Sequence, residues 1–336
     1  MILGAWSPVR GGICDYGVRL AHGLARCGDV NVWATVGDPD SSGPNLVVRQ
    51  GPLDGLRDSL RLALGVRRSG AHILIVQEDA EGRYWKGGIF LAAVFARFLG
   101  VRLILVVHEA GSRRQFALSW ISAATVLVDE LWCQRSWFNL KKCRVIHIPP
   151  NIPRTSEFTG PRTGAIRVGT FGFFSARKQP LRLALALGEL CAQGHPVEFT
   201  YIGEVPNSEL GQEFRGILER AKGLQWTIAG YTAPERVAEL LESSTVNVLL
   251  FSEPVRPRYG SYLAALQQSA PIVTTGPNFE PQSSVVEVSA DISSVREVAE
   301  AIIRAADMPR LHRRVASWDE VILEYEEVIH GVMGLR

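Results

Sequence analysis

Three segments of this chain combine glycines or hydroxyls with cations at points where a strand would hand over to a helix. Ser7-Pro8-Val9-Arg10-Gly11-Gly12-Ile13 precedes an amphipathic stretch from Asp15 to Arg26. Gly11 and Gly12 there let the backbone approach a ligand, and the first free N–H groups of the helix can meet negative charge. Phe171-Gly172-Phe173-Phe174-Ser175-Ala176-Arg177-Lys178 sets two adjacent cations at a helix start, where they oppose the macrodipole and ask for an anion such as phosphate. The run from Phe251 to Leu266 gathers Glu253, Arg256, Arg258, Gly260 and Ser261, so guanidinium forks and backbone donors stand ready for oxyanions. A fourth segment, His108-Glu109-Ala110-Gly111, ends an apolar strand and would project an imidazole toward a ligand. Each has a plain alternative: a simple strand-to-helix turn, a solvated cation pair, or a satisfied structural histidine.

Other chemistries find little support. Asp38-Pro39-Asp40 is a D-x-D but lies in a Gly/Pro/Ser-rich stretch with no flanking apolar strand, so it reads as a turn. Glu78-Asp79 could supply an acceptor-side base. The sequence contains no H-x-x-x-H, no G-x-G-x-x-G after its first strand, no G-x-S-x-G and no G-x-x-x-x-G-K-[ST]. Zinc hydrolase, nicotinamide, nucleophile-elbow and P-loop chemistry are therefore not expected. The five cysteines, Cys14, Cys27, Cys133, Cys143 and Cys191, are scattered and never spaced C-x-x-C, which points to neither a disulfide framework nor a metal site and fits a reducing cytoplasm.

The elements that must position these segments alternate throughout the 336 residues, a length that favours two domains. Asn31–Ala34, Ile73–Gln77, Leu103–His108 and Val145–Ile148 read as β-branched strands separated by helical patterns, including a core helix over Gly87–Ala96. Prolines 149, 150 and 153 break the rhythm and introduce a linker from Arg154 to Gly164. It restarts with strands at Ile166–Phe171, Val197–Ile202, Trp226–Ala229, Val246–Phe251 and Pro271–Thr274, interleaved with helices over 180–193, 208–222, 234–242 and 260–268. This order predicts α/β architecture: two Rossmann-like, doubly wound domains, residues 1–153 and 154–312, facing a cleft, with residues 313–336 as a C-terminal helix. At 46% hydrophobic and 21% charged the chain is globular, and a formal charge of +2 gives no reason to expect nucleic acid as the main partner. The opening residues stop at Ser7-Pro8 without a basic leader and read as a buried strand rather than a signal peptide.

Taken in order, these segments resemble the GT-B glycosyltransferases, and among them the large retaining family 4. The resemblance runs from Arg10-Gly11-Gly12-Ile13 and Tyr16 through the His108 strand end and Val145-Ile146-His147-Ile148-Pro149-Pro150-Asn151. It continues through Gly169–Lys178, Tyr201-Ile202-Gly203, Gly230-Tyr231 and Ala265–Val273 to the closing Ser317-Trp318-Asp319-Glu320-Val321. It implies a hexosyltransferase that moves a sugar from a UDP- or GDP-linked donor to an acceptor, retaining the anomeric configuration and using no metal or other cofactor. By position, Gly12 would face the donor diphosphate and sugar, His108 the sugar, and Lys178 the phosphate. Gly172, Gly203 and Tyr231 would line the donor site, and the last helix would brace the first domain. Cations and backbone donors would stabilise the departing diphosphate directly.

The sequence departs from that pattern. The arginine expected shortly before the lysine falls about where Phe173 stands, and the paired glutamates fall at Arg256 and Ala264. The segment instead resembles a bacterial branch in which Arg258, Gly260 and Ser261 take the diphosphate, with Glu253 a candidate for the ribose. Loss of the glutamates leaves open a pseudo-glycosyltransferase that binds a nucleotide sugar or supports a partner, and a two-lobed binding protein is a further rival. The acceptor, whether saccharide, lipid-linked saccharide or natural product, is not written in the residues. The stretch Ser112–Ser122 mixes Arg113 and Arg114 with Phe116, Leu118 and Trp120, which permits peripheral contact with the inner membrane face but suits a half-buried domain helix better.

Overall fold

In a parallel sheet covered on both faces the central strands are buried, which is why those strands read as near-continuous apolar runs. The computed structural model describes residues 2–4, 12–34, 43–51, 53, 55–78, 88–108, 113–128, 142–155, 164–256, 258–276, 284–291 and 294–334. By internal packing the chain divides into two units, Met1–Pro149 with Ala316–Arg336, and Pro150–Val315.

The first unit contains strands β1 (Ile2–Gly4), β2 (Val30–Ala34), β3 (Leu46–Gln50), β4 (Ile73–Glu78), β5 (Arg102–Val107), β6 (Ala124–Leu127) and β7 (Cys143–Val145). They form one parallel sheet in the order β3-β2-β1-β4-β5-β6-β7. Helices α1 (Gly12–Leu24), α2 (Leu56–Arg68), α3 (Gly88–Phe98) and α4 (Arg113–Ile121) connect the strands. Side-chain alternation along β4 and β5 sorts them onto two faces. Leu74, Val76, Leu103 and Leu105 pack with Leu62 and Val66 of α2, Ile89 and Ala93 of α3 and Leu118 of α4. Ile75, Ile104 and Val106 turn the other way, to Leu20 and Ala21 of α1. On that second face lies α10 (Trp318–Met333), through Val321, Ile322 and Tyr325. Ser317 and Glu320 close a reciprocal capping box at its start, and Gly334 in the left-handed region ends it. A Cβ on Gly23 would stand 2.2 Å from Ile322 Cδ1, so only a glycine lets α1 and α10 approach this closely.

The second unit repeats the plan. Strands β8 (Ile166–Phe171), β9 (Val197–Ile202), β10 (Leu224–Ile228), β11 (Val246–Leu249), β12 (Ile272–Thr275) and β13 (Val285–Val288) are parallel, in the order β10-β9-β8-β11-β12-β13. Helices α5 (Pro180–Ala192), α6 (Glu209–Arg220), α7 (Pro234–Ser243), α8 (Gly260–Leu266) and α9 (Val295–Ala306) cover it. Both sheets reverse direction beside their first strand, between β1 and β4 in one and between β8 and β11 in the other. Ligands in such sheets gather beyond the strand ends at that reversal.

Some boundaries shift from the expected ones. The first join falls at Pro149/Pro150 rather than after residue 153, because Ile152 is buried with Ile202, Leu241 and Ala264, and Arg154 donates to Arg313 O at 2.8 Å. The second falls at 315/316, since Arg313 donates to the carbonyls of Gln268, Ala270 and Ser284. The strand expected at Val145–Ile148 is instead Cys143–Val145, pairing with β6.

Candidate functional site

At the reversal of the second sheet, the segments after β8 and β11 meet. The chain leaves β8 through Gly172, whose φ of +122° is open to few L side chains. A Cβ there would lie 2.2 Å from Lys178 Nζ, so the glycine clears the space into which the lysine folds back. Tyr201 Oη donates to Gly172 O at 3.0 Å, and Gly203, at φ +146°, leaves room for that carbonyl. Arg177 and Lys178 belong to a single 3-10 turn, Ala176–Lys178, rather than to α5 itself. Gln179 then takes the left-handed conformation (φ 45°, ψ 47°) and Pro180 opens α5. Gln179 Nε2 holds this corner by donating to Phe251 O at 2.7 Å and Ala290 O at 3.0 Å.

Lys178 Nζ donates to Phe171 O at 3.1 Å and to Ser261 Oγ at 2.9 Å. Both acceptors are neutral, and among the described residues no carboxylate offsets the ammonium. Burial pushes its pKa from 10.5 down to about 8. Its immediate neighbour behaves differently. Arg177 Nη2 meets Glu253 Oε1 at 2.8 Å, and Arg256 Nη2 meets Glu253 Oε2 at 3.1 Å. Tyr259 Oη also donates to Glu253 Oε1. Burial alone would raise the Glu253 carboxyl, but Tyr259 and the two guanidinium groups outweigh it and hold the group below its ordinary value. Tyr259, half-buried and donating to that carboxylate, is pushed up to about 12.

The expected donor residues of this half therefore gather as two subclusters. One is Gly172, Lys178 and Ser261, with Gly203 behind it; the other is Glu253 with Arg177, Arg256 and Tyr259. Arg258 lies with its guanidinium 5.6 Å from the Tyr259 ring centre, and Gly260 opens α8 ahead of Ser261. Tyr231 is exposed, following Gly230 at φ +67°. Sequence reasoning named neither Gln179 nor the Tyr201 hydroxyl. Their signals are faint: a polar residue before Pro180, and a tyrosine two residues before a glycine.

In the first unit, the imidazole expected to stand open at the end of β5 is buried. His108 is 5% exposed, and its Nε2 donates to Gln77 Oε1 at 3.1 Å. Its ring meets Tyr16 edge-on at 4.9 Å. Tyr16 and Tyr325 share a hydroxyl–hydroxyl hydrogen bond of 2.9 Å, and burial raises both phenols above their ordinary values. Gly12 is the first residue of α1, whereas Gly11, Asp38-Pro39-Asp40 and Asp79 lie outside the described residues, as does the side chain of Glu78. Among the described residues no group of three His, Cys, Asp or Glu side chains could hold a metal ion.

No family model and no curated protein sequence matches this chain. Its fold nevertheless matches solved structures along nearly its whole length. A glycosyltransferase from Rickettsia africae ESF-5 aligns with a TM-score of 0.72 at 11% identity, covering 99% of this chain and 98% of that one. Anabaena Alr3699/HepE in complex with UDP and glucose aligns at 0.65 and 12% identity, covering 99% and 97%. MurG from Acinetobacter baumannii aligns at 0.59 and 9% identity, covering 99% and 98%. The chain thus has the GT-B fold, built from two Rossmann-like domains.

Proposed function

We propose that this chain is a glycosyltransferase that moves a sugar from a nucleoside diphosphate sugar to an acceptor, retaining the anomeric configuration and working without a metal. The observation that carries the reading is Lys178. An ammonium drawn out of water onto two neutral oxygens, at the reversal of a doubly wound sheet, is a group in want of an anion. The fold supports the choice of anion, because a GT-B neighbour at low identity was solved with UDP and glucose.

In this reading the donor diphosphate meets Lys178 and the Ser261 hydroxyl, with Gly172 keeping side-chain bulk away and Arg258 supplying further positive charge. As the bond from the anomeric carbon to the phosphate oxygen breaks, charge builds on the diphosphate, and a preorganised ammonium stabilises it without solvent rearrangement. Glu253 serves to hold Arg177 and Arg256 at the rim rather than to grip the ribose, since both its oxygens are already engaged. His108 acts by ordering the end of β5. The reading places the protein in the cytoplasm, where such donors are made.

The test is calorimetric titration with UDP, GDP and their sugars, followed by donor hydrolysis and transfer assays with and without EDTA. Binding of one nucleoside diphosphate, weakened about a hundredfold in Lys178→Ala, together with turnover that survives chelation, is the expected result. Tight binding without turnover on any acceptor would favour the pseudo-glycosyltransferase reading, to which Arg256 and Ala264 at the glutamate positions lend weight. Absence of any nucleoside diphosphate binding would overturn both.

A further inference from the structure

Gln179 holds a conformation that suits a glutamine poorly. Its φ of 45° and ψ of 47° are left-handed, a region that glycine or asparagine enters at less cost, so the residue stands there for its side chain and not for its backbone. A strained residue of this kind persists only where its surroundings over-determine it. Those surroundings lie on both sides of Lys178. The Ser252 N–H donates to Arg177 O at 2.7 Å, just before the lysine, and the Gln179 amide donates to Phe251 O at 2.7 Å, just after it. The segment that leaves β11 thus brackets Lys178, and the Phe251 ring lies 5.9 Å from its Nζ.

Arg182, in the first turn of α5, completes the arrangement. Its side chain is 0% exposed, and a guanidinium drawn out of water needs its donors answered. Nη1 donates to Ser289 O at 2.7 Å and to Gln179 Oε1 at 2.9 Å. Nε and Nη2 donate to Ser294 O at 3.3 and 3.1 Å, and Nη2 meets Glu297 Oε2 at 3.3 Å. Glu297 Oε1 in turn accepts from the Ser289 N–H at 2.9 Å. One of these contacts bears on the site. Because Gln179 Oε1 accepts from the arginine, Nε2 must face the carbonyls of Phe251 and Ala290, so the guanidinium sets the sense of the amide.

We infer that Gln179 and Arg182 are positioning residues for Lys178: the buried guanidinium fixes the amide, and the amide fixes the kink that turns the ammonium back onto Phe171 O and Ser261 Oγ. To tie α5 to α9, the bonds from Arg182 to Ser294 O and Glu297 would suffice; the bond to Gln179 is the one that leads to the lysine. Held this way, Nζ lies among the Phe171 carbonyl, the Ser261 hydroxyl and the Phe251 ring, all uncharged. Released from the kink, the ammonium would regain water and titrate as an ordinary lysine. The consequence for donor binding rests on the reading of Lys178 as the partner of the diphosphate. The positioning itself does not, and it is read on the amine without nucleotide.

Trace acetylation with acetic anhydride across pH, followed by mass spectrometry on the full chain, gives the midpoint at which Lys178 loses its proton. That midpoint should stand at about 8 in the parent. In Gln179→Gly, which keeps the left-handed turn free of strain but lacks the amide, it should rise by about one pH unit or more toward 10.5. Arg182→Leu should shift it the same way, and Arg182→Lys, still able to donate to Gln179 Oε1, should bring it part of the way back. UDP affinity should fall about tenfold in Gln179→Gly and Arg182→Leu. Tyr325→Phe, a destabilising change in the other unit, should leave the midpoint in place. Circular dichroism melts establish which variants are folded, and if Arg182→Leu is not, Gln179→Gly decides. A folded Gln179→Gly whose Lys178 titrates as in the parent overturns the proposal and leaves both residues as structural ties. A shifted midpoint in the variants of a chain that binds no UDP upholds the positioning and overturns the donor reading alone.

Discussion

The ends of β8 and β5 each carry one basic side chain drawn out of water, and the two are resolved in opposite ways. Lys178 brings three N–H donors to a carbonyl and a hydroxyl, and burial draws its pKa down to about 8. His108 brings a ring whose Nε2 is satisfied by Gln77 and which meets Tyr16 edge-on, Tyr16 itself being tied to Tyr325. Burial is common to both; what separates them is whether the protein completes the group. A completed group orders its surroundings, and an uncompleted charge waits for a ligand. Topology separates them as well. Lys178 follows β8, at the reversal of its sheet, whereas β5 lies one strand beyond β4, outside the reversal of its own.

The sharpest way to break this comparison is to remove each group. Lys178→Ala should lower UDP affinity about a hundredfold, as expected for a charge-assisted contact of ~3 kcal/mol. It should leave the urea midpoint unchanged or slightly raised, because the folded state no longer holds a desolvated charge. Titration calorimetry beside urea unfolding reads both; parental affinity in the variant would remove the lysine from the site. Tyr325→Phe should do the reverse. It strands the buried Tyr16 hydroxyl and should lower stability by about 1–3 kcal/mol, with UDP affinity within twofold of the parent. The double variant with Tyr16→Phe should recover part of that loss, since both partners are then apolar.

The pH dependence sharpens the same contrast. If the ammonium form binds phosphate, UDP affinity is flat below pH 8 and falls as pH rises through the lysine's folded pKa of about 8, by up to tenfold per pH unit. Stability runs the other way. Lys178 is depressed from 10.5, so between about 8 and 10.5 the unfolded chain holds more protons than the folded one, and this group's contribution to stability rises with pH. Below 8 both states are protonated and the dependence vanishes. Calorimetry and urea unfolding from pH 7 to 10 should show the fall in UDP affinity in the parent and not in Lys178→Ala, and a stability difference between the two proteins that changes with pH only above about 8.

How much of this could be read from the sequence follows the range of the interactions. Alternating runs such as Ile73–Glu78 and Val197–Ile202 announce buried parallel strands because period and composition are local properties. β3 escaped because Arg49 and Gln50 close it on a half-exposed edge, and β6 because four buried residues are too short a run. At the site, a cation pair after a strand is visible locally. That Arg177 turns to Glu253, 76 positions away, while Lys178 does not, is visible only once the sheet brings β8 beside β11. The covering of His108 depends on Tyr16 and on a partner of Tyr16 309 positions further on. No spacing rule reaches that far.

The finest distinction concerns Glu253, which sequence reasoning set against the ribose and which the structure finds between Arg177 and Arg256. Glu253→Gln keeps the shape of the side chain and removes its charge, so the two readings diverge in a small but measurable way. If Glu253 only restrains the arginines, the variant loses two partly exposed ion pairs worth ~0.5 kcal/mol each, and UDP affinity shifts by roughly twofold. The ratio of affinities for UDP and 2′-deoxy-UDP then stays the same in parent and variant. If the carboxylate instead grips the ribose, the variant loses a charge-assisted hydrogen bond made to UDP alone, and that ratio collapses toward one. Titrating both ligands into both proteins therefore decides whether the second subcluster belongs to the pocket or to its rim.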